Sequence, residues 1–96
     1  MGRRRWQPIY VVYDIRSNKL RNELARRLRY YGLHRVQYSV FAGAISRSDK
    51  SKLVEEVQAM ALGDNDKVHI LEICERCKKR AVIIGKKMEQ QEHLIF

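Results

Sequence analysis

Asp14 closes the apolar run Ile9-Tyr10-Val11-Val12-Tyr13, and the residues after it include the cations Arg16, Lys19 and Arg21. An acid at a strand end is most often a turn or capping residue, but it is also where sheet proteins keep chemistry. One carboxylate makes a poor Mg²⁺ site, because that ion wants octahedral oxygen coordination from carboxylates, waters and substrate phosphates together. A two-fold dimer changes this by bringing a second Asp14 near the first. Two close carboxylates repel, and either a shared proton or a divalent cation relieves them. A cation there would polarise a phosphodiester and activate water.

The other reactive side chains assemble less. Cys74 and Cys77 look like half of a zinc ribbon, but the chain holds only these two cysteines, and a structural zinc site wants four ligands. A metal thiolate, a redox pair and a reduced pair in a turn all stay open, the last being the ordinary reading. His34, His69 and His93 share no ligand spacing. No Gly-rich phosphate loop and no nucleophilic triad can be composed.

Charge points to a partner. The formal net charge is +9. Ten of the cations (Arg3, Arg4, Arg5, Arg16, Lys19, Arg21, Arg26, Arg27, Arg29 and Arg35) fall in the first 35 residues against two acids, Asp14 and Glu23, whereas the remainder balances at ten against nine. A one-signed field on part of a small domain favours a polyanion, nucleic acid ahead of an anionic membrane surface. No apolar run is long enough to span a bilayer. The basic start lacks the apolar stretch of a secretory signal, so a cytoplasmic protein is expected.

These residues must be positioned by one domain, since 96 residues build a single modest core. Residues 1–8 read as a basic arm, with Pro8 at the entry to the first strand, residues 9–85 as the folded domain, and residues 86–96 as a tail. The continuous apolar run from Ile9 predicts a central strand covered on both faces. A helix capped by Ser17 or Asn18 follows, with Leu20, Leu24, Leu28 and Tyr31 as its inner stripe and Arg21, Arg26, Arg27 and Arg29 outward. A solvated surface is the ordinary fate of such a face. Gly32 supplies a left-handed stop.

From Arg35 to Ala44 the residues alternate, with Val36, Tyr38 and Val40 on one face and Gln37, Ser39 and Phe41 on the other; Gly43 is placed to bend or bulge that strand. Ser46 or Ser48 caps a second helix built on Leu53, Val57 and Met60 or Ala61. Further strands are expected at 67–73 and 81–84, and a short one at 93–96. The order is β-α-β-β-α-β if the stretch 35–44 is a bent strand or hairpin, and β-α-β-α-β-β if not. The first is an α+β ferredoxin-like sandwich with an additional C-terminal strand. Its helices cover one sheet face and leave the other to a second subunit.

Four pieces carry a family resemblance: the strand ending Tyr13-Asp14-Ile15, the helix opening Lys19-Leu20-Arg21, the segment from Gly32 to Phe41, and the closing Val82-Ile83-Ile84-Gly85. In this order they resemble the small CRISPR-associated endonuclease family, the non-integrase subunit of the spacer-acquisition complex. The resemblance implies a ferredoxin-like protomer in a symmetric homodimer, the last strand completing the partner's sheet. It also implies Mg²⁺-dependent phosphodiester cleavage of RNA or DNA. Asp14 would be the metal ligand with Tyr13 its neighbour, Ser39 and Phe41 would shape the site, and Arg21 and Arg35 would hold phosphate.

Arg16, Arg26, Arg27 and Arg29 extend the expected nucleic-acid surface. The family further implies a bridge between two dimers of the integrase subunit, a role in which cleavage is dispensable; the tail from Lys86 is a candidate contact. Glu23 departs from relatives that are basic at that position. Small-molecule sensing, which the same fold also serves, is the remaining alternative.

Overall fold

The computed structural model describes residues 6–73. In chain order these form β1 (Trp6–Asp14), α1 (Asn18–Tyr30), β2 (His34–Gln37), β3 (Val40–Ser46), α2 (Arg47–Gln58) and β4 (Lys67–Glu72). The sheet runs β2-β3-β1-β4 with every pair antiparallel. This is the β-α-β-β-α-β order of a ferredoxin-like fold, so the hairpin reading of residues 35–44 holds. The strands expected at 81–84 and 93–96, the tail, and Cys74 and Cys77 lie outside the described residues, as does the arm up to Arg5. β1 already begins at Trp6, ahead of Pro8, which sits inside the strand opposite Ala44.

Local chemistry sets the helix ends. The Ser17 hydroxyl accepts from the Leu20 N–H, and Ser46 from the Asp49 N–H, each at 3.2 Å, so each helix has a side-chain cap worth about 1 kcal/mol. At the other end of α1, Gly32 takes φ +89°. Its N–H donates to the Arg29 carbonyl at 2.9 Å, and the Leu33 N–H donates to that of Leu28 at 3.0 Å. This is a Schellman ending, with buried Leu33 supplying its apolar contact.

Gly43 does not bulge β3; it stays in register opposite Ile9. A Cβ there would come within 2.8 Å of Leu33 Cδ2 and 3.3 Å of the Gly32 carbonyl oxygen. The glycine therefore admits the loop that ends α1. The irregularity lies on β2, between Arg35 and Gln37. Together with the Tyr38-Ser39 turn it interrupts the continuous strand alternation expected across 35–41, although Phe41 is wholly buried and Tyr38 exposed, as different in environment as that reading placed them.

Both helices pack on one sheet face. Ile9, Val11 and Tyr13 of β1 and Phe41 and Ile45 of β3 meet Leu24, Ala25 and Leu28 of α1 and Leu53 and Val57 of α2. Each large side chain so buried contributes about 1.5–3 kcal/mol. Among the described residues the expectation that β1 is covered on both faces holds only in part, the outward Pro8 being buried. Tyr10 is half-buried and Val12 and Asp14 are exposed, and they share the open face with Lys67, His69 and Leu71 across the β1–β4 ladder.

Candidate nucleic-acid interface

Asp14 is the last residue of β1 and lies on the open face, opposite Lys67 in the register. Alternation along a strand sends neighbours to opposite faces, so the other residues expected around it part company with it. Tyr13 turns inward and is buried. Its hydroxyl donates weakly to the Tyr38 carbonyl at 3.4 Å, its N–H donates to the Ser39 carbonyl at 3.0 Å, and its ring lies 6.3 Å from that of Phe41. Phe41, also inward, is 0% exposed. Ser39 sits in the turn joining β2 to β3. Tyr13 and Phe41 thus pack together behind the sheet, Ser39 meets Tyr13 through the backbone, and Asp14 faces away from them.

The loop after Asp14 is held from two sides. The Arg21 guanidinium donates to the Ile15 carbonyl at 2.7 Å and the Arg16 carbonyl at 3.1 Å, and also meets the Asn18 amide oxygen. From β4's side, Asp66 accepts the Arg16 N–H at 3.0 Å and the Gly63 N–H at 2.7 Å. Those two backbone donors, Gly63 first, hold its carboxyl below the usual range. The position of Asp14 is therefore fixed by residues separated widely in sequence.

The six arginines expected to hold nucleic acid divide by what they already touch. Arg21 is engaged by the loop. Arg27 pairs with Glu23 at 3.0 Å and with Glu56 at 2.9 Å, and these two carboxylates, Glu23 first, raise its pKa further. Arg16, Arg26 and Arg29 are exposed. Arg29 and Arg35 both lie against the Phe41 ring, at 5.5 and 5.1 Å, a cation–π arrangement, and Arg35 also donates to the Tyr38 carbonyl at 2.8 Å. The ring orients two guanidinium groups at the β2–β3 end of α1. Arg29 and Arg35 are thereby held in place, while Arg16 and Arg26 project from the same half of the chain.

Asp14 alone offers one carboxylate, short of the octahedral oxygen shell that Mg²⁺ demands. Among the described residues no group of three or more His, Cys, Asp or Glu side chains converges, and nearby Asp66 is engaged by backbone donors. Exposed Asp14 fits such an ion when a second carboxylate and substrate phosphate complete the shell. Sequence reasoning missed the aromatic residues at the far end of β1, where Trp6, Tyr30, Tyr31 and His34 line a common groove. The Tyr30-Tyr31 pair carried the signal, because only Tyr31 falls on the inner stripe of α1. No described helix is long and apolar enough to cross a membrane.

Comparison with known proteins follows the same residues. The family model of CRISPR associated protein Cas2 matches residues 8–81. A CRISPR-associated endoribonuclease Cas2 of Archaeoglobus fulgidus is 39% identical over 75 residues, covering 78% of this chain and 80% of the relative. A Cas1/Cas2 endonuclease fusion of Thermoproteus tenax is 34% identical over 68 residues, 71% of this chain and 26% of the fusion. Among solved structures, the hypothetical protein TT1823 of Thermus thermophilus superposes with a TM-score of 0.71 at 26% identity, covering 88% of this chain and 96% of that one. A cas2 crystal structure gives 0.70 at 23% identity, covering 86% and 91%, a likeness of fold.

Proposed function

Because this chain belongs to the CRISPR-associated Cas2 family, we propose that it works as a two-fold homodimer in spacer acquisition, binding nucleic acid and bridging dimers of the integrase subunit. The open sheet face carries this reading. Val12 and Leu71 are 37% and 48% exposed, and with Tyr10 they make an apolar surface that a second copy would cover. Asp14 ends the same strand on the same face, so the dimer that covers Val12 also supplies the second carboxylate. Val12→Lys should leave the fold intact and weaken self-association in sedimentation. A parent protein that stays monomeric at high concentration overturns the reading.

Cleavage would depend on Asp14 from both protomers. The two Asp14 carboxylates would hold Mg²⁺, which when bound would supply Lewis-acid polarisation of the phosphodiester and an activated water. Arg29 and Arg35 bind the substrate phosphates, and Arg21 keeps the loop behind Asp14 in place. The relatives named endoribonucleases favour RNA as the substrate.

A second reading, a DNA-bridging adaptor without physiological cleavage, is favoured by the fusion relative, in which Cas1 and Cas2 share one chain. Asp14→Asn separates the two. Both readings expect it to keep nucleic-acid affinity. The nuclease reading expects loss of Mg²⁺-dependent cleavage and, if cleavage matters, of spacer acquisition; the adaptor reading expects acquisition unchanged. A variant that cleaves like the parent removes the nuclease reading.

A further inference from the structure

The groove at the far end of β1 lies eight residues of strand from Asp14, about 26 Å, and none of the functions above uses it. It encloses about 610 Å³ between the start of β1, the end of α1, the start of β2 and the first turns of α2, a size suited to a small planar ligand. Trp6, Tyr30, Tyr31 and His34 give it aromatic walls, and Lys52 a cation. An adjoining recess of about 560 Å³ shares Tyr30, Tyr31 and Lys52 and adds Arg26.

Tyr30 is 81% exposed, yet its position is supported. The Tyr31 ring stands edge-on to it at 5.1 Å. The Tyr31 hydroxyl donates to Glu56 at 2.7 Å, and Arg27 donates to the other oxygen of Glu56 at 2.9 Å. Tyr31 is thus held by bonds spanning both helices, and an exposed ring braced against it loses less freedom when another π-face stacks on it.

We propose that this groove takes unpaired nucleotides of the nucleic acid bound by the basic surface, with a base stacked on Tyr30 and phosphates at Lys52 and Arg26. The inference rests on the nucleic-acid-binding reading above. Aromatic platforms interleaved with cations suit single strands, because every base offers a π-face whatever its sequence. Glu56, which also lines the recess, is already matched by Arg27 and Tyr31. Asp49, on the groove wall, repels phosphate and leaves the backbone to the Lys52 side.

The test uses the full chain with short DNA and RNA strands carrying 2-aminopurine, and a blunt duplex as control. Stacking should quench the fluorescence. Tyr30→Ala should weaken single-strand binding about 5- to 100-fold while duplex binding stays unchanged, and Tyr30→Phe should restore it. Lys52→Gln should reduce the single-strand salt slope by roughly 0.7. The DNA and RNA arms report which strand the groove prefers. A parent that binds duplex but shows no quenching overturns the inference, leaves the groove to a protein segment, and leaves the nucleic-acid reading standing. Equal loss on both substrates in Tyr30→Ala also overturns it. A parent that binds neither substrate removes the underlying reading, and the inference with it.

Discussion

Along β1, Ile9, Val11 and Tyr13 point into the helices and are buried, whereas Tyr10, Val12 and Asp14 point the other way, and Val12 remains 37% exposed. The two sets are made of similar residue types, so hydrophobicity alone does not distinguish them. What distinguishes them is the partner. The inner set meets α1 and α2 of its own chain and serves folding; of the outer set, Val12 and Asp14 stay exposed and serve assembly in the proposed dimer. Of the residues expected to form the catalytic group, Tyr13 and Phe41 fall with the first set and Asp14 with the second.

The sharpest way to break this division is Phe41→Ala. The ring is fully buried, and its removal opens a cavity beneath Arg29 and Arg35, so the expected cost is about 3–5 kcal/mol in urea unfolding. For a domain of this size that is a large share of the total. Any loss of nucleic-acid binding should follow from unfolding and from release of the two guanidinium groups. A Phe41→Ala protein as stable as the parent would show that the face is not the core.

A smaller effect compares two arginines of α1. Arg21 binds the Ile15 and Arg16 carbonyls, whereas Arg26 is exposed. Arg21→Ala should cost about 1–2 kcal/mol, since it strips a charged donor from the part-buried Ile15 carbonyl. Arg26→Ala should stay within about 0.5 kcal/mol while weakening nucleic-acid binding. Thermal unfolding of the pair, alongside affinity at two salt concentrations, checks both halves. Equal destabilisation would mean that α1 uses its arginines alike.

Much of this fold could be read from the residues, and the failures have physical causes. Ser17, Gly32 and Ser46 announce the helix ends because caps and left-handed stops demand particular residue types. The Tyr38-Ser39 turn was harder, since it contains no Gly, Pro or Asn, and the alternation was carried straight through two residues that leave the strand. The continuous run in β1 identified a central strand, but an apolar residue looks the same whether it awaits a helix or a second copy. Asp14 was legible as a strand-end acid. The division of the arginines was not, because Glu56 and the loop carbonyls that engage Arg27 and Arg21 become their neighbours only when the chain folds; Glu23, four residues before Arg27 on one helix, was within reach of the spacing.

The smallest expected effect concerns the polar contact between the helices, outside the sheet altogether. Hydrogen bonding from Tyr31 first, and pairing with Arg27 after it, lower the Glu56 pKa below its ordinary 4.5, and the same bond pushes Tyr31 up to about 12. A carboxylate with a depressed folded value stabilises the fold above its unfolded pKa, and that contribution fades as pH falls through the folded value. For Tyr31 the sign reverses: its contribution is complete below pH 10 and is lost as pH rises towards about 12. Glu56→Gln should therefore flatten the acid limb of stability below about pH 4.5. At neutral pH it should cost under about 1 kcal/mol, because Arg27 and Glu56 are each about a third exposed. An unchanged acid limb would assign that loss elsewhere, with Asp66 the next carboxylate to replace, since its lowered pKa links the same pH range to the loop behind Asp14.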